Sequence, residues 1–192
     1  VRVAGPVQYN EARVYTRDVA VRTYDKEHML PPFEDVFTPG KALLVLHRPE
    51  ALWGVAICKD MDFMNPARRN GRAGVGLMLV PGWDFNVDAF WHGHIAVMRG
   101  VEDGFSVVRA AKDGLLTVTD DRGRVVAERA SVAAPFVTLL AEVPAGHEGT
   151  LYLLWGDWFA WLAMALCVWV VWRRWSLVPK TSTTENAEDT EK

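Results

Sequence analysis

Cysteine is scarce in this sequence: 192 residues carry two, Cys58 and Cys167, in very different surroundings. Two thiols cannot build a disulfide framework, so the fold rests on its core. Neither sign of charge dominates. With 21 Lys and Arg against 24 Asp and Glu, the net charge is −3. The clustered basic surface that a nucleic-acid partner requires is missing, so no nucleic acid is expected. There is no internal repeat and no low-complexity segment outside the last residues. No targeting peptide precedes Val1, which is not a methionine; a processed or truncated start is the expectation. Disorder is excluded too, since half the residues are apolar and 23% are charged. A domain near this length buries roughly 70% of its unfolded surface.

What is abundant is tryptophan, nine in all. Five of them (Trp155, Trp158, Trp161, Trp169 and Trp172) fall between residues 155 and 172. Residues 158–172 are uncharged, but at about 1.5 Å per residue they span only about 22 Å, short of a hydrocarbon core of about 30 Å. Starting at Leu151 extends the run to about 33 Å, with Asp157 as its only charge. Trp155 and Trp158 near one end and Trp172 and Trp175 near the other resemble aromatic belts, and Arg173 and Arg174 follow at once. This pattern predicts a transmembrane helix over 151–173, with the arginines in the cytoplasm and everything upstream outside. The alternative is a buried core helix. Residues 174–192, polar and rich in Thr and Glu, read as a disordered cytoplasmic tail.

Before Leu151, short apolar runs bounded by Pro, Gly or charge predict strands at 14–24, 42–47, 52–58, 75–80, 105–110, 115–119 and 124–127. Pro66 and Asn65 mark a short helix over 66–73. Asp84 or Asn86 would cap a longer one running to about 103. Asp120-Asp121-Arg122-Gly123 is a tight-turn signal. The mixture argues α/β or α+β, with helices covering a face of sheet.

Three segments carry unusual chemistry. Tyr24-Asp25-Lys26-Glu27-His28 leads through Pro31-Pro32-Phe33 to Glu34, a lysine leaving a strand followed by a loop that fixes the path to an acid. By composition it is equally a solvated charged loop. Gly54-Val55-Ala56-Ile57-Cys58-Lys59-Asp60 is an apolar strand that ends at a cysteine. Such a thiol is either an inert small hydrophobe or, where the backbone turns sharply, a nucleophile. A neighbouring ammonium (Lys59, or Lys26 if the fold brings it close) lowers a thiol pKa from about 8.5, and Asp60 works the other way. Pro81-Gly82-Trp83-Asp84-Phe85 follows a strand and reads as a pocket rim or an ordinary loop. His92 and His94 are two apart, so on a helix they do not share a face, and no metal site is expected. Arg68, Arg69 and Arg72 form a basic cluster, read as a solvated helix face or a contact to anionic lipid headgroups.

Taken in order, these segments resemble the carbon–nitrogen hydrolase (nitrilase) superfamily, and within it the apolipoprotein N-acyltransferase family. Y-D-K-E-H-M-L-P-P-F-E resembles the family's Y-x-K-x-H-L-x-P-x-x-E lysine motif, and G-V-A-I-C-K-D its G-x-x-I-C-x-E/D nucleophile elbow. Residues 97–105 are similar to its R-A-x-E-x-G join. Residues 113–126 are similar to its G-x-x-x-V-x-D-x-x-G-x-V hairpin, and Gly156-Asp157-Trp158 to its G-D-W element. The resemblance implies a nitrilase-like four-layer αββα sandwich, incomplete at the N-terminus, over residues 1–150. It implies no cofactor. Cys58 would be the nucleophile that forms a thioester, and Lys26 the oxyanion stabiliser, with the backbone N–H of Lys59 as second donor. Glu34 would be the accessory glutamate, and Asp60, Trp83 and Phe85 would belong to the substrate pocket.

The sequence departs from the family pattern in three places. The general-base glutamate is not present: Glu11 is the upstream acid, and its setting does not match the base motif. The membrane spans that precede the hydrolase domain are absent. Lys59 replaces an aromatic residue, and Pro-Phe-Glu-Asp replaces Pro-Phe-Gly-Glu. The chain is therefore expected to be the C-terminal part of a larger enzyme and inactive by itself. The function implied is a membrane-anchored acyltransferase that moves a fatty acyl group from a phospholipid donor to the N-terminal amine of a lipoprotein acceptor. It would act at the inner or plasma membrane, with the catalytic domain on the outer, periplasmic side. The alternatives are a membrane-anchored amidase hydrolysing C–N bonds and a non-catalytic module that lacks the base.

Overall fold

The computed structural model describes residues 1–17 and 20–177. Most of the expected tail, 178–192, lies outside the described residues. Two units are distinguished, Val1–Leu154 and a second beginning at Trp155.

The first unit is built on a six-stranded sheet in the order β10-β9-β8-β7-β6-β5. Its strands are β5 (Val45–His47), β6 (Leu52–Val55), β7 (Val75–Trp83), β8 (Ser106–Lys112), β9 (Leu115–Thr119) and β10 (Val125–Ala130). The central pairs β6–β7 and β7–β8 are parallel, and the flanking pairs are antiparallel. Parallel neighbours require crossovers. Here these are a 3-10 turn (Cys58–Asp62) with α1 (Met64–Arg72), and then α2 (Ala89–Asp103). β7 is apolar without alternation from Val75 to Val80 because it is covered on both faces. On one face Met61, Ala67 and Ala96 from the helical layer meet Val75, Met78, Val80, Phe105 and Val107. On the other, Tyr24, Leu44, Leu46, Val55 and Ile57 pack with Ala12 and Val14.

That second cover corrects the expected strand over 14–24. β3 (Glu11–Val14) and β4 (Arg22–Asp25) instead form an antiparallel pair with Glu11 opposite Asp25 and Val14 opposite Arg22. Folding the segment back brings Ala12, Val14 and Tyr24 to one core face, which a single strand of that length would spread apart. A further small pair, β1 (Arg2–Ala4) and β2 (Val7–Tyr9), turns at Gly5, whose φ is +64°. β7 continues past the expected residue 80 through Pro81. β6 ends at Val55, so β7 pairs there only with β8, and the missing proline N–H falls on the open side. Neither Asp84 nor Asn86 caps α2. Asp88 holds the cap position, while Asp84 is fully buried and bidentate to Arg109. Gly104, at φ +74°, ends α2 by returning its N–H to the Gly100 carbonyl.

Of the arginine cluster, Arg72 is exposed, while Arg68 and Arg69 are half-buried and engaged. Arg69 Nη1 donates to both carboxylate oxygens of Glu27, at 2.8 and 2.9 Å, and Arg68 lies 4.7 Å over the Tyr152 ring.

Asp103, near this cluster, is fully buried, and neither of its oxygens has a hydrogen-bond partner. Burial, and then Glu102, push its pKa up to about 7 against the opposing pull of Arg68, Arg99 and Arg72. The unfolded chain releases this proton near pH 4. Between about pH 4 and 7 the native state therefore holds more protons than the unfolded state, and this contribution to stability falls as pH rises through that window. Asp103→Asn is expected to remove the slope and to be the more stable protein at pH 8, read from urea midpoints at pH 5 and pH 8.

The expected single helix over 151–173 is also corrected. It divides into α3 (Leu151–Trp155) and α4 (Trp158–Ser176), separated at Gly156, whose φ is +61°. α4 is 19 residues long and includes two arginines and five tryptophans, which dilute its apolar character. Among the described residues, no helix is long and apolar enough to cross a membrane. An orientation with the domain outside needs a crossing helix, so it does not follow from α4.

Candidate active site

β4 ends at Asp25, and the chain next delivers Lys26, whose backbone N–H donates to the Asn10 carbonyl at 2.8 Å. The Lys26 side chain is 3% exposed, and its Nζ lies 2.5 Å from Glu34 Oε2. Glu34 sits in the turn after Pro31-Pro32. Its Oε2 also accepts the Leu30 N–H at 2.7 Å, and its Oε1 accepts Asn10 Nδ2 at 2.6 Å. A carboxylate that accepts from three donors is fixed in place, and it holds the Lys26 nitrogen beside it.

Cys58 opens the 3-10 turn after β6 with a φ of +47°. A non-glycine residue in this region carries strain that the surroundings must support, and the conformation swings the side chain clear of the strand. Its Sγ lies 3.6 Å from the Trp83 carbonyl oxygen. Cys58, Lys26 and Glu34 all line one cavity of about 610 Å³, together with Asn10, Glu11, Phe33, Gly82, Trp83 and Phe85. Phe85 stacks on Trp83 at 4.4 Å, with Phe33 at 5.9 Å from Phe85. Trp83 is held from behind, its Nε1 donating to Asp113 at 2.9 Å and Lys112 lying 4.4 Å over its ring. The arrangement offers a thiol, a fixed ammonium and an apolar wall. That combination suits attack on a carbonyl attached to a hydrocarbon group.

Asp60 is placed differently from the expected pocket. Asp60 is fully buried beneath the turn and does not line the cavity. It receives the Ile57 N–H at 3.0 Å, the Glu27 and His28 N–H groups at 3.1 and 2.8 Å, and the Tyr24 hydroxyl at 2.9 Å. His28 Nδ1 adds a contact at 3.2 Å. Asp60 thus ties the lysine strand to the cysteine turn. Burial, reinforced by Asp60, pushes the Tyr24 phenol far up, so it stays protonated and donates. The Lys59 side chain turns to Asp62 at 3.4 Å.

Two residues that spacing did not single out also line the cavity, Asn10 and Arg13. Glu11 accepts from Arg13 at 2.6 Å and Arg2 at 3.0 Å. Burial opposes its charge, but the bonds from Arg13 and Arg2 outweigh it and hold the carboxyl below its ordinary value. So tied, Glu11 is a poor proton acceptor. His92 reaches Asp62 at 3.2 Å and His94 the Phe90 carbonyl at 2.7 Å. Among the described residues, no three metal-ligating side chains converge.

Fold and cavity define the class first: an α/β protein whose sheet presents a strand-end cysteine in a cavity shared with a lysine–glutamate pair. The family follows from comparison. Residues 2–154 match the carbon-nitrogen hydrolase family, and the chain belongs to it. An apolipoprotein N-acyltransferase of Gloeobacter violaceus is 31% identical over 172 residues, covering 76% of this chain and 32% of that protein. The chain spans about a third of the length of the curated relatives it matches. A carbon-nitrogen hydrolase from Helicobacter pylori G27 shares the fold with a TM-score of 0.63 at 17% identity, over 75% of this chain and 59% of that one. So does a variant of the Nesterenkonia sp. AN1 amidase that carries the product of Michael addition of acrylamide at its active site cysteine. Its TM-score is 0.51 at 24% identity, over 57% of this chain and 47% of that one.

Proposed function

We propose that this chain is the cysteine-bearing part of a longer acyltransferase that moves a fatty acyl group from a phospholipid to the N-terminal amine of a lipoprotein. The observation that carries the reading is the strained Cys58 turn sharing an apolar-walled cavity with the buried Lys26 and its partner Glu34. The names of the curated relatives support the choice of substrates.

In this reading Cys58 Sγ attacks the ester carbonyl. The C–S bond forms, the C–O bond to the glycerol breaks, and the lysophospholipid leaves with a proton. The acceptor amine then attacks the thioester, so that C–N forms, C–S breaks and the thiol is restored. In each tetrahedral intermediate the negative oxygen is met by Lys26 and by the Lys59 N–H, each donor worth about 3 kcal/mol. Proton transfer needs a base beyond Glu11 and Glu34, both engaged in ion pairs. In the four-layer sandwich we propose for the longer protein, a glutamate near the end of a strand that precedes the lysine segment supplies it, as the family resemblance implies. α4 is exposed on nearly every face and apolar over most of its length, a distribution that lipid satisfies, and we assign it to membrane association.

The test uses the protein isolated from its own cells, mixed with phospholipid vesicles and a diacylated lipopeptide. The expected product is the N-acylated peptide. Ammonia release from simple amides, with no acylated peptide, would instead favour the amidase reading, which the likeness to the Nesterenkonia enzyme supports.

A further inference from the structure

We propose that Asn10 is a positioning residue for Lys26, acting through Glu34. The inference rests on the reading of Lys26 as the oxyanion stabiliser.

Asn10 links β2 to β3 and touches the lysine in two ways. Its carbonyl accepts the Lys26 backbone N–H at 2.8 Å, which fixes where the lysine leaves β4. Its side-chain nitrogen donates to Glu34 Oε1 at 2.6 Å. A carboxylate only accepts, so the amide must present its nitrogen here, and its orientation follows from the chemistry. The other Glu34 oxygen is already occupied by Lys26 Nζ and the Leu30 N–H. Leu30 and Lys26 therefore leave the carboxylate free to pivot about that oxygen, and the bond from Asn10 stops the pivot. With Glu34 fixed at both oxygens, the ammonium has one direction in which to point. Asn10 also lines the cavity, so the brace stands at the wall. It lies 16 residues before Lys26 and 24 before Glu34, a separation at which nothing in the sequence couples them.

The experiment reads Lys26 directly in the full chain. Acetylation by a water-soluble acylating reagent is followed by peptide mass spectrometry, with exposed Lys41 as the internal reference. Asn10→Ala, and the near-isosteric Asn10→Leu should the smaller variant fold poorly, are expected to raise Lys26 acetylation about tenfold while Lys41 is unchanged, the effect of losing one charge-assisted hydrogen bond. Glu34→Gln is expected to raise it as well, and adding Asn10→Ala to Glu34→Gln to raise it no further, because the two act in series. A structural role would give additive effects. Lys26 protection unchanged in both Asn10 variants, or additive losses with Glu34→Gln, overturns the proposal. Fluoroacetamide labelling of Cys58 separates the two readings. If Cys58 takes no label in the protein isolated from its own cells, the acyltransferase reading fails, while Lys26 acetylation still decides the role of Asn10.

Discussion

Cys58→Ala is expected to abolish acyl transfer in the protein as its cells make it, a loss of at least about 10³-fold. The reason is local. The positive φ at Cys58 turns its thiol out of the end of β6 into the cavity that Lys26 also lines, and no other described thiol lines that cavity. Cys167 lies on α4, exposed and in the other unit. Cys167→Ala is therefore expected to leave transfer within about twofold, the range of a surface substitution. Initial rates of N-acylated peptide formation check both. Equal losses from the two variants, or none from either, would contradict the assignment.

Asp60→Ala is expected to be the most destabilising single change in the site, by about 3–5 kcal/mol, because it leaves several buried donors without an acceptor. The Ile57, Glu27 and His28 N–H groups and the Tyr24 hydroxyl all converge on this one carboxylate. Two of those donors belong to the segment after Lys26, and one precedes Cys58. Losing Asp60 should therefore loosen both segments of the proposed site together. Asp60→Asn keeps the volume and one acceptor oxygen, and is expected to lose less. Urea midpoints of the two variants, compared at one pH, give the order. An Asp60→Ala protein as stable as the parent would mean that the turn is held from elsewhere.

The sequence made the outline legible where chemistry and spacing coincide. Lys26, Glu34 and Cys58 stand at strand ends and in a proline-fixed turn, and those local signals survive folding. β7 is legible because a strand buried in parallel pairing demands an unbroken apolar run, and β8 and β9 because their short apolar runs are bounded by glycine or charge. Long-range relations were not visible. The family resemblance alone implies a pocket role for Asp60. Its role as the junction of two segments depends on β4 lying across from the turn. The fold-back of β3 and β4 escaped notice because both halves have strand-forming residues and only the core contacts of Ala12, Val14 and Tyr24 decide between one strand and two. Composition around α4 promised one long helix. Gly156 breaks it, leaving Trp155 at the end of α3, while Trp158, Trp172, Trp175 and the two arginines fall inside the 19-residue α4.

The central claim is that Cys58 carries the acyl group. The most direct measurement is peptide mass spectrometry of the protein isolated from its own cells, before and after hydroxylamine, which cleaves thioesters. The expected result is a fatty acyl mass on the peptide containing Cys58, removed by hydroxylamine and absent from the peptide containing Cys167. Acyl groups equally distributed over the two cysteines, or transfer activity with Cys58 always bare, would contradict it.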